Sequence, residues 1–570
     1  MWRRRSPGGV GRNGGAGTTW ESGAFACSTK VHLLSEKVDA MGFPGGDGRL
    51  PVIYVRGFAG GAGAINNAVD DPFYGFSQGS VHVRADGNGR AKFHQFESPM
   101  LRLITDHKYE VPVHGDQWAF LSRAETASVN PASVWIYRFY DGSSDTFSRD
   151  PETFSFGEAA ADLFELIKLV LEKTGAPKVF LVAHSMGGLI CRSLLQRVIP
   201  EALADAGEVF DPAAGTKYVA RLFTYATPHG GITFAIGFGV LERIRDAMAI
   251  QGADIFGPDR MYEYLTPAPV RSTRTRENFL STEIPDDGFP VDEVFCLVGS
   301  NPEDYDVAFG LSSKAVGPRS DGLVQIENAA VRGAPLAVVH RSHSGRYGIV
   351  NSEEGYQNLQ RFLFGDLKVE VQTVGFTVGR DAPPEVVFQL DVGLAIRGLP
   401  VLVHEQSAEH YCPVQIERWR EGDPIDSPVP LLTTFLSSKA PRPRVGGIVV
   451  PRLRHALNLR LMSITERDGH FFFDDHLEQT EDWQDTLLVE IEPPSEGRLL
   501  PRAWAAWNST VRAAVRDWDP EDKDFLEDTD PAPEHWSGRI EVPEISRDLL
   551  GHNAGIRITV TPRSLDLGSA

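Results

Sequence analysis

Long apolar runs are missing from this sequence: none of about 18 consecutive apolar residues occurs in its 570 positions, which excludes an ordinary transmembrane helix. Cysteine is scarce as well. The four, Cys27, Cys191, Cys296 and Cys412, include no short-spaced pair of the kind that ligates zinc or builds a redox motif, so they read as reduced, mostly buried thiols and suit a cytoplasmic location. Positive charge is in deficit, with 56 Lys plus Arg against 77 Asp plus Glu and a formal net charge of -21. Such a surface repels a phosphate backbone and argues against nucleic acid as a partner. The basic start Met-Trp-Arg-Arg-Arg runs into Gly and Ser rather than into the apolar stretch of a signal peptide, so export is not expected. Residues 1–48 are Gly-rich and lack periodicity, and they are read as a disordered leader outside the fold, with Met41 as an alternative start.

The chain exceeds the roughly 250 to 300 residues at which a single core stops growing, so at least two domains are expected. Residues 51–55, 132–140 and 178–183 are short β-branched or apolar runs that read as buried strands. Leu163, Leu166, Ile167, Val170 and Leu171 recur at helical spacing, and Gly175 with Pro177 supplies the stop. Apolar runs at 218–225 and 291–298, alternating with helical segments, extend the pattern, which closes with a helix at about 353–364. A mostly parallel sheet covered by helices, an α/β domain over 49–366, is the consequence. Beyond Gly365 the period becomes two: Leu367, Val369 and Val371, then Phe388, Leu390, Val392, Leu394 and Ile396, then Ile556, Ile558 and Val560. A β-sandwich-like domain over 367–570 fits that spacing. Within it the spacing of Trp504, Trp507, Val511, Val515 and Trp518 suggests a helix.

The sharpest chemical signal is Val182-Ala183-His184-Ser185-Met186-Gly187-Gly188, between a predicted strand and a predicted helix. A serine there sits on a cramped turn, and small neighbours let strand and helix approach while its hydroxyl points outward. The helix that follows offers main-chain N–H groups to a developing oxyanion. This stretch resembles the nucleophile elbow of α/β-hydrolase lipases, whose usual pattern is Gly-x-Ser-x-Gly, with Ala183 in place of the first glycine. Arg56-Gly57-Phe58-Ala59-Gly60-Gly61 is similar to the lipase His-Gly-x-Gly oxyanion loop, with Arg56 where the family has His. By that resemblance the N–H groups of Phe58 and Met186 form the oxyanion hole.

A serine hydroxyl needs a base, and the base an orienting acid, and in this fold the chain order is Ser, acid, His. Asp321-Gly-Leu-Val resembles the segment in which lipases carry the acid, and Asp321 is preferred over Asp304 and Asp306, which also follow the apolar run at 294–298. For the base, His343 is preferred over His340, because Gly345 and the run 347–352 that follow it resemble the lipase arrangement of a base on a loop just before the last helix, whereas His340 sits close to the strand. Thr227-Pro-His229 is similar to a lipase segment whose His is structural, and His229 is read that way. The glycine-interrupted apolar stretch that follows makes 231–290 a candidate lid insertion. The resemblance implies a Ser-His-Asp hydrolase of carboxylic acyl esters with an ester or lipid-like substrate, brief contact with a lipid surface, and neither metal nor organic cofactor. The same triad fits a thioesterase or amidase, and the fold alone fits a non-catalytic binding protein. The acidic cluster between Asp517 and Asp530 has no ligand-spaced loop and reads as a solvated charge run.

Overall fold

The short apolar runs of the first half meet in one sheet. The computed structural model describes residues 49–57, 69–85, 91–112, 116–141, 156–232, 256–303, 317–345, 347–424, 427–438, 444–445, 448–449, 452–467, 476–495, 498–512, 518–530, 532 and 534–565. The chain divides into two units, Met1–Arg49 and Leu50–Ala570, and Arg49 alone is described in the first.

In the second unit, β1 (Val52–Val55), β4 (Val134–Tyr137), β5 (Val179–His184), β6 (Val219–Tyr225), β7 (Val294–Gly299) and β8 (Leu336–Val339) lie in the order β4-β1-β5-β6-β7-β8. Every pairing in this sheet is parallel. A separate hairpin, β2 (Ser80–Ala85) and β3 (Ala91–Phe96), leads to helix α1 (Pro99–His107), and α2 (Gln117–Arg123) precedes β4. Every residue of β1, β4, β5 and β7 is buried. Strands covered on both faces need no polar alternation, which is why they read as continuous apolar runs.

The cover comes from α3 (Phe156–Thr174), α4 (Met186–Ser193) and α7 (Glu353–Phe364), with α5 (Ile199–Asp205) reached through a π-helical stretch at Leu194–Val198. Leu163, Leu166, Ile167 and Val170 of α3 share one core with β5 and with Leu359 and Phe362 of α7. Gly175, at φ +66, ends α3 in the left-handed conformation that the sequence signals. Between β6 and β7 stands α6 (Pro258–Leu265).

Past α7 every pairing is antiparallel. One sheet runs β11-β10-β16-β17-β18, with β12 also paired to β10, and a second runs β13-β9-β20-β19. The strands are β9 (Leu367–Val374), β10 (Val387–Ile396), β11 (Leu402–Gln406), β12 (Val414–Ile416), β13 (Val429–Leu436), β16 (Leu453–Arg467), β17 (His476–Glu492), β18 (Arg502–Trp507), β19 (Trp536–Glu541) and β20 (Gly555–Pro562). A two-residue pair, β14 (Arg444–Val445) and β15 (Ile448–Val449), stands apart, and α8 (Arg547–Leu550) precedes β20. The period-two residues Val369, Val371, Leu390, Val392, Ile556 and Ile558 meet in one core shared by both sheets. This is the expected sandwich. Among the described residues no helix is long and apolar enough to cross a membrane.

The helix expected at the tryptophans is corrected. Trp504 and Trp507 lie on β18, opposite Glu490 and Leu487 of β17, and a 3-10 turn follows at Asn508–Thr510. Ala503 and Trp507 enter the sandwich core, while Trp504 faces the other way, donates from its indole nitrogen to the Glu521 carbonyl and carries the Arg452 guanidinium 4.0 Å above its ring. Strand pairing fixes this segment, and the three-residue spacing merely straddles the two faces of a strand.

His455 of β16 is buried against this core, with neither ring nitrogen hydrogen-bonded. Burial, assisted by the nearby Arg361 charge, pushes its pKa down to about 3. Unfolding returns it to about 6.5, so between those values the unfolded chain binds the extra proton. The stability this neutral imidazole confers is complete above pH ~6.5 and is lost as pH falls toward the folded value. We expect His455→Leu to flatten the dependence of unfolding free energy on pH between 4 and 6 by about 1.4 kcal/mol per unit. Urea denaturation at several pH values measures this, and an unchanged slope would refute it.

Candidate active site

Ser185 sits where β5 becomes α4, with φ 54 and ψ -130. A non-glycine residue holds that conformation only where its surroundings impose it. Here they do: the Ser185 N–H donates to the Tyr225 carbonyl (2.8 Å), and its carbonyl accepts from the Thr227 hydroxyl (2.9 Å) and the Gly188 N–H (3.0 Å). Gly57, Gly187 and Gly188 are space requirements. A Cβ on Gly57 would stand 2.5 Å from the Ser185 Cβ, one on Gly187 2.3 Å from the Val55 carbonyl oxygen, and one on Gly188 2.1 Å from the Thr227 hydroxyl. Ala183, in place of the usual glycine, is wholly buried.

His343 approaches from the loop after β8. Its Nε2 lies 2.9 Å from the Ser185 Oγ, and its Nδ1 lies 2.9 Å from Oδ2 of Asp321. Three residues distant in sequence thus form one continuous hydrogen-bonded relay, with the His343 and Asp321 side chains only 4% and 1% exposed. The other oxygen of Asp321 accepts from the N–H groups of Leu323 (3.0 Å) and Val324 (2.8 Å), so the carboxylate is held from both ends. Gly299, at the end of β7, admits this loop: a Cβ there would stand 2.8 Å from the Asp321 Cβ. The His343 N–H donates to the Asp321 carbonyl (2.9 Å), which locks the two loops together.

The other expected positions divide as follows. Met186 opens α4, so its N–H has no acceptor within the helix and stands beside Ser185. Phe58, Asp304 and Asp306 lie outside the described residues, as do positions 233–255 of the 231–290 insertion. Within it, Gly231 packs on Phe256: a Cβ there would stand 2.4 Å from the Phe256 carbonyl oxygen. His340 is not brought to Ser185; its ring stacks on His410 at 3.6 Å. His229 is buried between Thr224 (3.2 Å) and Cys296 (3.6 Å), and burial holds its pKa well below the usual value. It makes no bond to the relay. Among the described residues, no group of three or more His, Cys, Asp or Glu could hold a metal ion.

Two supporting features escaped sequence reasoning. His184, buried beside Ser185, donates from Nε2 to the His343 carbonyl (2.9 Å), and burial holds its pKa well below the usual value. Its place at the last position of a buried strand was the available signal. Arg341, two residues before His343, pairs with Glu354 in the first turn of α7, with Nη2 2.9 Å from both carboxylate oxygens and both side chains buried. Nothing in the spacing announces that pair.

The Alpha/beta hydrolase family matches residues 113–345, and the parallel sheet and the serine turn carry the same architecture. These residues belong to the α/β-hydrolase superfamily. The hydrolase sheet also takes in β1, which precedes the matched segment. Among solved structures, the chain is similar to lipase BlEst2 of Bacillus licheniformis in mature form, at 16% identity, covering 56% of this chain and 92% of that one, TM-score 0.29. It is also similar to phospholipase PlaB of Legionella pneumophila, at 12% identity over 77% and 91%, TM-score 0.29. A third is a 2-hydroxy-6-oxo-6-phenylhexa-2,4-dienoate hydrolase of Rhodococcus sp. strain RHA1, at 11% identity over 56% and 92%, TM-score 0.21. Likenesses this weak carry no argument about what the chain acts on. No curated protein matches it.

The Arg341–Glu354 pair gives a test of how the base loop is held. Arg341→Leu removes the bidentate partner of a buried carboxylate and is expected to destabilise the hydrolase by about 3–5 kcal/mol, whereas Arg341→Leu with Glu354→Leu should recover most of that loss. Chemical denaturation of the three proteins decides; equal destabilisation by single and double changes would show that the pair does not hold this loop.

Proposed function

We propose that this chain is a serine hydrolase that cleaves carboxylic acyl esters, of the lipase, esterase or phospholipase kind, through an acyl-enzyme on Ser185. The observation that carries this reading is the relay itself, Ser185 Oγ to His343 Nε2 and His343 Nδ1 to Asp321, each at 2.9 Å. In the proposed cycle His343 takes the hydroxyl proton as Ser185 attacks the ester carbonyl, and Asp321 holds the imidazole in the required tautomer and offsets the imidazolium charge. The tetrahedral oxyanion is met by the Met186 N–H, with the Phe58 N–H as its partner donor by resemblance. Collapse of this adduct expels the alkoxide, which takes the proton from His343 and leaves as the alcohol. Water, deprotonated by the same imidazole, then attacks the acyl-enzyme and releases the carboxylic acid.

The chain's own residues supply every acid, base and electrophilic contact in this scheme. An ester or lipid-like molecule is the proposed substrate, met in solution or at a lipid surface. The buried free thiols Cys191, Cys296 and Cys412 suit a reducing compartment such as the cytoplasm.

A fluorophosphonate probe and a series of p-nitrophenyl esters of increasing chain length, run beside a phospholipid, a thioester and an amide, test the proposal. Wild type is expected to be labelled and to turn over esters. Ser185→Ala should abolish labelling, and His343→Ala and Asp321→Asn should each lower kcat by about 10⁴-fold or more. A folded wild-type protein inert to the probe and to every substrate would instead favour a non-catalytic binding protein.

A further inference from the structure

The sandwich reaches into the hydrolase site along one edge. β8 is the last strand of the parallel sheet and leads directly into the loop that carries His343. The Cys296 N–H donates to the Pro335 carbonyl and the Ser300 N–H to the Val339 carbonyl, so the odd-numbered residues of β8 bond toward β7. The Val338 N–H therefore points outward, where the sheet has no further strand among the described residues. Its acceptor comes from the other half of the chain: Nδ1 of His404, on β11, at 3.4 Å.

The tautomer of His404 follows from its neighbours. The Gln406 side-chain nitrogen donates to the Cys412 carbonyl (3.2 Å), which turns its oxygen toward His404 Nε2 (3.1 Å). Nε2 thus carries the proton, and Nδ1 is left with the lone pair that Val338 needs. His404 is wholly buried, and burial lowers its pKa to about 4, so the ring is neutral near pH 7.

The same segment backs the acid. Cys412 is buried in a small apolar cluster with Val298, Leu323, Val324 and Val338, and Leu323 and Val324 are the residues whose N–H groups hold Asp321. Asn358 of α7 donates to the Val403 carbonyl (2.8 Å), tying β11 to the helix whose Glu354 holds Arg341. His410 stacks on His340, beside the base loop.

We propose that residues 403–412 are a working part of the hydrolase site, and that His404 is a positioning residue which, through the edge of β8 and the Cys412 cluster, fixes the loops carrying His343 and Asp321. This rests on the reading of Ser185, His343 and Asp321 as the reacting set. The sandwich, on this account, acts on the rate of the chemical step rather than on capture of substrate.

The experiment measures kcat and KM on a soluble p-nitrophenyl ester, with the rate of fluorophosphonate labelling, for the full chain and three variants. His404→Ala is expected to lower kcat and the labelling rate by about tenfold at a KM within about twofold of wild type. His404→Asn, whose side-chain oxygen can stand where Nδ1 stood, should restore most of the loss. His455→Leu, in the same sandwich but outside residues 403–412, should leave kcat unchanged. If His404→Ala does not fold, Gln406→Ala decides, with kcat expected to fall about threefold at constant KM. Unchanged kcat in a folded His404→Ala, or in Gln406→Ala where that variant decides, would overturn the positioning role while wild-type activity and its loss in Ser185→Ala kept the ester hydrolase reading intact. An inert wild type would instead fail that reading first.

Discussion

The backbone of Ser185 is the constraint from which the site follows. Holding a non-glycine residue at φ 54 and ψ -130 costs on the order of 1–3 kcal/mol, and the three hydrogen bonds to its own N–H and carbonyl, from Tyr225, Thr227 and Gly188, supply the restraint. The conformation aims Oγ at the imidazole and sets the Met186 N–H on the first turn of α4. It also explains the crowding: strand β1, the turn and α4 come so close that no side chain fits at Gly57, Gly187 or Gly188.

Around that turn the polar groups of the relay are buried and paired. Asp321 accepts two main-chain N–H groups and the His343 ring, and the His343 carbonyl accepts from His184. A low-dielectric setting strengthens each of these bonds and makes an unpaired member costly, so the network tolerates few arrangements. Neutral His184 contributes here through one atom. With Nε2 spent on the His343 carbonyl, it fixes the main chain of His343.

How much of this was legible follows from the range of each interaction. The serine turn is written in seven consecutive residues because its demands are local: small volumes on either side and a strand-to-helix change of period. Asp321 and His343 were reachable because the fold fixes their order along the chain. The parallel sheet and the sandwich were legible as continuous against alternating apolar runs. The tryptophans of β18 misled because a strand followed by a turn can imitate helical spacing over four or five residues, and only pairing with β17 settles the matter. Arg341 with Glu354, and Val338 with His404, left no trace, since each joins segments whose proximity is a product of the complete fold.

The two halves share more than that edge. Helix α7 ends with carbonyls that no residue of its own can satisfy; Phe362 and Leu363 receive the Arg221 guanidinium from β6, at 3.0 and 2.7 Å, and Phe362 also receives Arg563, just past β20, at 3.0 Å. Arg563 pairs in turn with Glu293 and lies 4.6 Å above the Phe362 ring and 4.7 Å above that of Phe435 on β13. Phe435 belongs to the hydrolase core rather than to the sandwich core. Burial lowers the pKa of Arg221 to about 10, still well above neutrality, so its guanidinium remains charged at pH 7 and needs the carbonyls and the carboxylate it has; burial pushes Arg563 in the same direction. The Phe362 carbonyl thus takes one guanidinium from each half, and the helix end joins the two. The antiparallel sheets are therefore bound into the hydrolase as structure, which is the setting in which a residue of the second half can bear on the chemistry of the first.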